Sequence, residues 1–203
     1  MSNFDFNTAE EQRATGSLIP DNTVVMVVAK LRPGGHGQDG WLKTNKDGTC
    51  LMVDLEFTVD GGDFDRRKFW SMMVTEGDTD GQQKAANISR SKLRAMLESA
   101  HGVNPSDNSP EAQAKRKVAS YSDFDGLRFC AKVGIEAGGL KDKMAGPDSE
   151  RYADKNTLKA VITPDEAAYV SPGAQTPASG PAMAAAVAGI AKQTAAAKPA
   201  WAN

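Results

Sequence analysis

Residues 64–74 read Phe-Asp-Arg-Arg-Lys-Phe-Trp-Ser-Met-Met-Val and set three consecutive cations, Arg66, Arg67 and Lys68, beside the aromatics Phe69 and Trp70. Guanidinium and ammonium groups neutralise phosphates, and an indole offers a flat face on which another ring can stack. A strand would present both kinds of group on one rigid surface. Because side chains alternate along a strand, Lys68 shares a face with Arg66 and Trp70, while Arg67 and Phe69 point inward or toward the edge. A basic strand is also what a plain solvated sheet face looks like, so the cluster counts as a binding footprint only if others join it.

Two loop segments supply such clusters. Residues 33–48 contain Gly34, Gly35, Gly37, Gly40 and Gly48 together with Trp41, Lys43 and Lys46. Gly35, Gly37 and Gly40 match G-x-G-x-x-G formally, but a dinucleotide site needs a helix next, and only about eight residues with poor helix formers separate Gly40 from the next strand. The dinucleotide reading is rejected, leaving a connection that carries an aromatic and two lysines. Residues 137–154 carry Lys141, Lys143, Arg151 and Tyr152, and Lys132 lies on the polar side of the strand just before them. Trp201 is an isolated large aromatic among small residues and reads as an anchor for a protein partner.

Catalytic groups are sparse. His36 sits in the Gly-rich loop and His101 at a helix end, and with Cys50 and Cys130 they match no zinc spacing. No P-loop or nucleophile elbow is present. Asp54 and Glu56 alternate on one strand and share a face, which admits a metal-dependent nuclease or recombination enzyme as an alternative. The alternation itself explains them as that strand's polar side. The expectation is a protein that is not an enzyme, with no cofactor and no metal.

The elements that would position these groups follow from periodicity. Strands are expected at residues 23–32, 50–59, 64–74, 127–136 and 156–163, the second with Leu51, Val53, Leu55, Phe57 and Val59 all on one face. Asp60-Gly61-Gly62 makes a hairpin turn between the second and third. A helix over residues 82–100 has Ala86, Ile88, Leu93, Met96, Leu97 and Ala100 on its apolar side and stops at Gly102. A short second helix over 110–117 starts with Ser109 as cap and Pro110 in the first turn. Strand, strand, strand, helix, strand, strand is the order of an OB-fold, so the expected class is mainly β with one or two helices: a five-stranded Greek-key barrel. In that fold the loops after the first and fourth strands frame a face made by the second and third. The three clusters therefore converge on one surface, suited to backbone neutralisation and base stacking on a single strand of nucleic acid.

Residues 1–170 are read as this one domain. From residue 171 onward Ala, Pro, Gly, Ser and Thr dominate, and 171–203 is expected to be a disordered tail. The formal charge of −2 excludes a uniformly basic binder but not a local basic patch. No apolar run approaches the ~18 residues of a membrane span, and the first residues lack a signal peptide's pattern, so a cytoplasmic protein is expected, with both cysteines as small reduced core residues.

Several spaced residues also resemble a known family. They are Phe4-Asp5-Phe6, Gly61-Gly62 followed by Arg67-Lys68-Phe69-Trp70, and Ile88-Ser89-Arg90-Ser91-Lys92-Leu93. Further on are Phe124-Asp125-Gly126-Leu127-Arg128-Phe129 and Tyr152-Ala153-Asp154-Lys155-Asn156. Over residues 4–169 the chain resembles the phage-encoded single-stranded DNA-binding proteins found beside recombination genes. The resemblance implies an OB-like fold and single-strand binding in phage replication or recombination, with a replication or recombination protein as a partner through the tail. Such binders often end in an acidic tail, whereas here no acidic residue follows Glu166. A third alternative, a structural adaptor without nucleic-acid binding, is consistent with the same elements.

Overall fold

A computed structural model describes residues 17–141 and 150–173. Phe4, Phe6, Lys143, Trp201 and all of the expected tail beyond Gly173 lie outside the described residues. The elements, in chain order, are β1 (Val24–Arg32), β2 (Leu42–Thr44), β3 (Cys50–Val59), β4 (Lys68–Gly77), α1 (Asp80–His101), α2 (Pro110–Lys115), β5 (Arg128–Glu136) and β6 (Lys155–Val161).

The sheet is built around β3. Its Val53, Leu55, Phe57 and Val59 are buried, as their alternation requires, and Phe57 meets Phe69 and Phe129 at ring-centroid distances of 5.2 and 5.7 Å. One edge of β3 pairs with β4 from Cys50↔Gly77 to Thr58↔Lys68. The other edge pairs first with β2 and then with β1, so that Leu42↔Val53 and Arg32↔Asp54 are neighbouring rungs of the same ladder line. Residues 33–41 are an excursion from that line. The excursion closes on itself through Gly35 N–H to Gly40 O and reciprocal bonds between His36 and Leu42, with Gly35, Gly37 and Gly40 all at positive φ. This local return explains the glycine spacing, and β2 rather than a helix follows it.

β5 pairs with β1 and β6 with β5, all antiparallel, giving the order β4–β3–β1–β5–β6 with β2 extending the β1 line. Three expectations are corrected. The sheet has six strands, because β2 was read as part of a loop. β4 begins at Lys68 and not at residue 64, because Gly61, Gly62 and Arg66 take positive φ and residues 60–67 form a wide turn. The sheet is also open: β4 and β6 lie side by side but share no ladder.

The seam between β4 and β6 is bridged by α1. The Lys92 ammonium donates to the Leu158 carbonyl of β6 at 3.0 Å, and the Arg90 guanidinium to the Thr75 carbonyl of β4 at 3.1 Å. Thr75 stands at a bulge without a register partner in β3, although its hydroxyl donates to Leu51 O. Unpaired edge carbonyls are costly when shielded from water, and here two cations about 200° apart, one on each flank of the buried stripe of α1, satisfy one carbonyl each. Burial pushes the Lys92 ammonium below the ordinary lysine pKa.

α1 opens with a reciprocal cap between Thr79 and Gln82 and ends at Gly102, whose φ of 63° donates the chain-reversing N–H to Glu98 O. Ala86, Ser89, Leu93, Met96 and Leu97 form its buried stripe. Ile88, expected on that stripe, is 62% exposed: it lies two residues, or about 200°, from Ala86. α2 starts as expected with the Ser109 cap and Pro110. Cys50 and Cys130 are buried free thiols. After β6 the chain packs back over β5, with Tyr169 Oη donating to Ser99 O and Arg128 bonding Pro172 O. Folded contacts thus run slightly past residue 170. Among the described residues no helix is long and apolar enough to cross a membrane.

Lys92→Met keeps the aliphatic stem and removes the donor to Leu158 O. It should lower unfolding free energy in urea by about 1–3 kcal/mol, the usual cost of stranding a buried polar group. An unchanged midpoint would show that the seam does not depend on this bond.

Candidate functional site

The solvent side of β3 carries Asp54, Glu56 and Thr58, and its neighbours put cations beside them. Lys30 and Arg32 of β1 stand opposite Glu56 and Asp54; Trp70 and Met72 of β4 stand opposite the same two residues on the other edge. The Asp54 side chain is only 5% exposed although it faces outward. It accepts from Lys43 Nζ at 2.5 Å and lies 3.5 Å from the Arg32 guanidinium. Glu56 is 15% exposed and divides its two oxygens: Lys68 Nζ sits 2.6 Å from one, and the Trp70 indole N–H donates to the other at 3.2 Å.

These bonds set the titration of Glu56. The hydrogen bond from Lys68 holds its carboxyl below the ordinary value, helped by Trp70 and by the charges of Lys68 and Lys30, against the opposing effect of burial.

A groove of about 640 Å³ runs over this face, lined by Arg32, Lys43, Arg67, Lys68, Trp70 and Met72. Trp70 is 47% exposed and Met72 54%. Ser17 and Leu18 and, beside them, Asp154 to Asn156 leading into β6 complete the lining, the two segments being joined by Ile19 N–H donating to Asn156 Oδ1. Arg67 is held over the Phe64 ring with its guanidinium carbon 5.3 Å from the centroid, and it donates to the Ser17 carbonyl. Its partners are neutral, so its charge is not compensated by them.

Of the residues nominated from sequence, the groove brings together Lys43, Lys68 and Trp70. Arg66 is not on the strand: it occupies the turn at φ 63°, pairs weakly with Asp65 at 3.7 Å and points to solvent. Lys46 is exposed at the β2–β3 turn, beyond the Cys50 end of β3, while Lys68 pairs at Thr58; roughly eight residues, or about 26 Å of strand, lie between. Lys132 stands opposite Val24 at the far end of β1 from Lys30. Lys141, Arg151 and Tyr152 lie on the connection between β5 and β6, with Lys141 paired to Glu150 and Leu140 bridged to Arg151, and none of the three is among the residues that line the groove. Trp41 packs against the core and lines a second cavity, of about 670 Å³, with Leu93, Leu97, Tyr121 and Phe124.

Sequence reasoning missed Arg32, Lys155 and Met72, and it turned Arg67 inward or toward the edge, whereas Arg67 lines the groove. One signal was available: Lys30 and Arg32 have the same i, i+2 spacing as Asp54 and Glu56, which antiparallel pairing turns into cross-strand charge matches. The position of Arg67 has no such signal, since it depends on the positive φ at Arg66. Among the described residues no group of three or more His, Cys, Asp or Glu is arranged to hold a metal ion.

No family model matches the chain, and neither the curated proteins nor the solved structures provide a match.

The depressed Glu56 pKa has a definite sign. Its contribution to stability is fully present above the unfolded value of about 4.3 and is lost as pH falls through the lower folded value. Lys68→Met removes the largest cause, so a carboxyl-carbon NMR titration should show the Glu56 midpoint moving upward. A midpoint identical to that of the unaltered protein would mean that Lys68 is not what lowers it.

Proposed function

We propose that the protein is a non-catalytic binder of single-stranded DNA, using the outer face of β3 and β4. The observation that carries this reading is the groove in which Trp70 and Met72 lie exposed among Arg32, Lys43, Arg67 and Lys68. Cations along such a groove neutralise the backbone while an exposed indole stacks on a base, a combination that tolerates any sequence. A single strand offers unstacked bases to the indole, whereas a duplex keeps them inside.

The strand pairings support an OB-like fold for this role. β1, β3, β4, β5 and β6 correspond to its five strands, with α1 and α2 inserted between the third and fourth, and a partly open barrel is within that fold's range. In such a fold the β5–β6 connection bearing Lys141, Arg151 and Tyr152 flanks the groove. The resemblance noted in the sequence adds the setting: protection of single strands during phage replication or recombination in the host cytoplasm. It also adds a replication or recombination protein recruited through residues 171–203, with Trp201 as anchor. The pairing of Asp54 and Glu56 with cations favours binding over a metal-dependent nuclease, because both carboxylates are already engaged.

Fluorescence anisotropy with a labelled oligothymidylate across a salt series tests the assignment. Arg67→Ala should weaken binding and flatten the salt dependence by about 0.7 in log–log slope, the value for one phosphate of a single strand. Trp70→Ala should weaken binding by about 1–3 kcal/mol, roughly 5- to 150-fold, with the slope intact. Trp70 is half-exposed, so the variant should keep its circular dichroism. Folded variants that bind with unaltered affinity and slope would remove the groove from the account.

A further inference from the structure

Four cations of the groove, Arg32, Lys43, Arg67 and Lys68, are not equivalent. Arg67 bonds to a neutral carbonyl and lies over a ring. Lys43 and Arg32 share Asp54, whose side chain is 5% exposed and has little room for a solution cation. Lys68 is different from both. Its ammonium, about half exposed, is bonded to Glu56, whose side chain at 15% is more exposed than that of Asp54. The other oxygen of Glu56 holds the edge of the Trp70 ring. A single carboxylate therefore touches both the cation and the stacking platform on which the proposed function relies.

We propose that Glu56 is a specificity-determining and positioning residue of the strand-binding site: it masks Lys68 in the free protein and competes with a DNA phosphate for it, while orienting Trp70. This inference rests on the single-strand reading of the groove. When a phosphate takes Lys68, it sheds a condensed counterion, but Glu56 loses its ammonium and takes up a solution cation in return. Net ion release at this position is then close to zero. The consequence is a site whose attraction to backbone charge alone is held down, so that polyanions without stackable bases gain little from Lys68. Strands that engage Trp70 keep their full stacking contribution. The cross-strand neighbours support the assignment, since Lys30 on β1 and Lys68 on β4 flank Glu56 from both sides and Asp54 already has its own partners.

Glu56→Gln keeps an acceptor for the Trp70 N–H and removes the competing charge. With the same labelled oligothymidylate, it should raise affinity at low salt roughly two- to fivefold, the range expected for freeing one exposed ion pair. It should also steepen the log–log salt slope by about 0.7. Glu56→Asp keeps the charge and should not steepen it. Lys68→Met should leave the slope at the unaltered value, because a masked cation contributes no net release; this second variant decides the matter if Glu56→Gln fails to fold by circular dichroism. An unchanged slope and affinity in folded Glu56→Gln, or a slope flattened by Lys68→Met as much as by Arg67→Ala, would overturn the masking. If Arg67→Ala and Trp70→Ala still weaken binding in that case, the groove stands and only the role of Glu56 falls. If those two bind like the unaltered protein, the groove reading itself has failed.

Discussion

Asp54 is a carboxylate on the outer side of a sheet that is almost fully removed from water. A charge in that position must be compensated, and the two groups that compensate it come from either side of a break in the chain. Arg32 is the last residue of β1 and Lys43 lies in β2, and residues 33–41 leave the sheet between them. By holding both, Asp54 pins the two ends of the excursion to one line along β3. The backbone ladder sets the register Arg32↔Asp54 and Leu42↔Val53, and the two ion pairs join its ends on the outer side.

The same interaction shapes the solvent side of the sheet. Asp54 and Glu56 alternate with the core residues Val53, Leu55 and Phe57, so each step of the buried face is matched by an anion outside. The anions gather cations from β1, β2 and β4 and hold their ammonium and guanidinium groups at defined positions on the sheet. The seam between β4 and β6 uses related chemistry, with Arg90 and Lys92 serving backbone carbonyls in place of carboxylates. Arg90 and Lys92 thereby tie α1 to both strands at the open seam.

Much of the fold was legible from local pattern. The alternation in residues 50–59, the caps at Ser109 and Gly102, and the placement of Phe69 inside with Lys68 and Trp70 outside all follow from period and turn chemistry alone. What was not legible depends on contacts between distant segments. Three residues suffice for β2 only because Val53 and Met52 wait beside them, and nothing in Leu42-Lys43-Thr44 alone marks a strand. Arg66 left the basic cluster because a positive φ turns it away before the strand begins, and Ile88 left the apolar stripe by a simple angular count. Trp41 and Trp70 look alike as aromatics near lysines, yet one packs toward the core and the other lies open on the sheet, a distinction that comes only from the tertiary arrangement.

That distinction also provides the most direct test of the proposed strand-binding groove. The indole N–H signals of Trp41 and Trp70 can be assigned by substitution in a nitrogen-15 NMR spectrum and followed as an oligothymidylate is added. The account predicts that the Trp70 signal shifts progressively and saturates with the binding curve, because its N–H bond to Glu56 and its exposed ring lie in the groove, while the Trp41 signal stays near its starting position. Saturated binding that moves Trp41 and leaves Trp70 unmoved would place the strand elsewhere on the molecule and contradict the account.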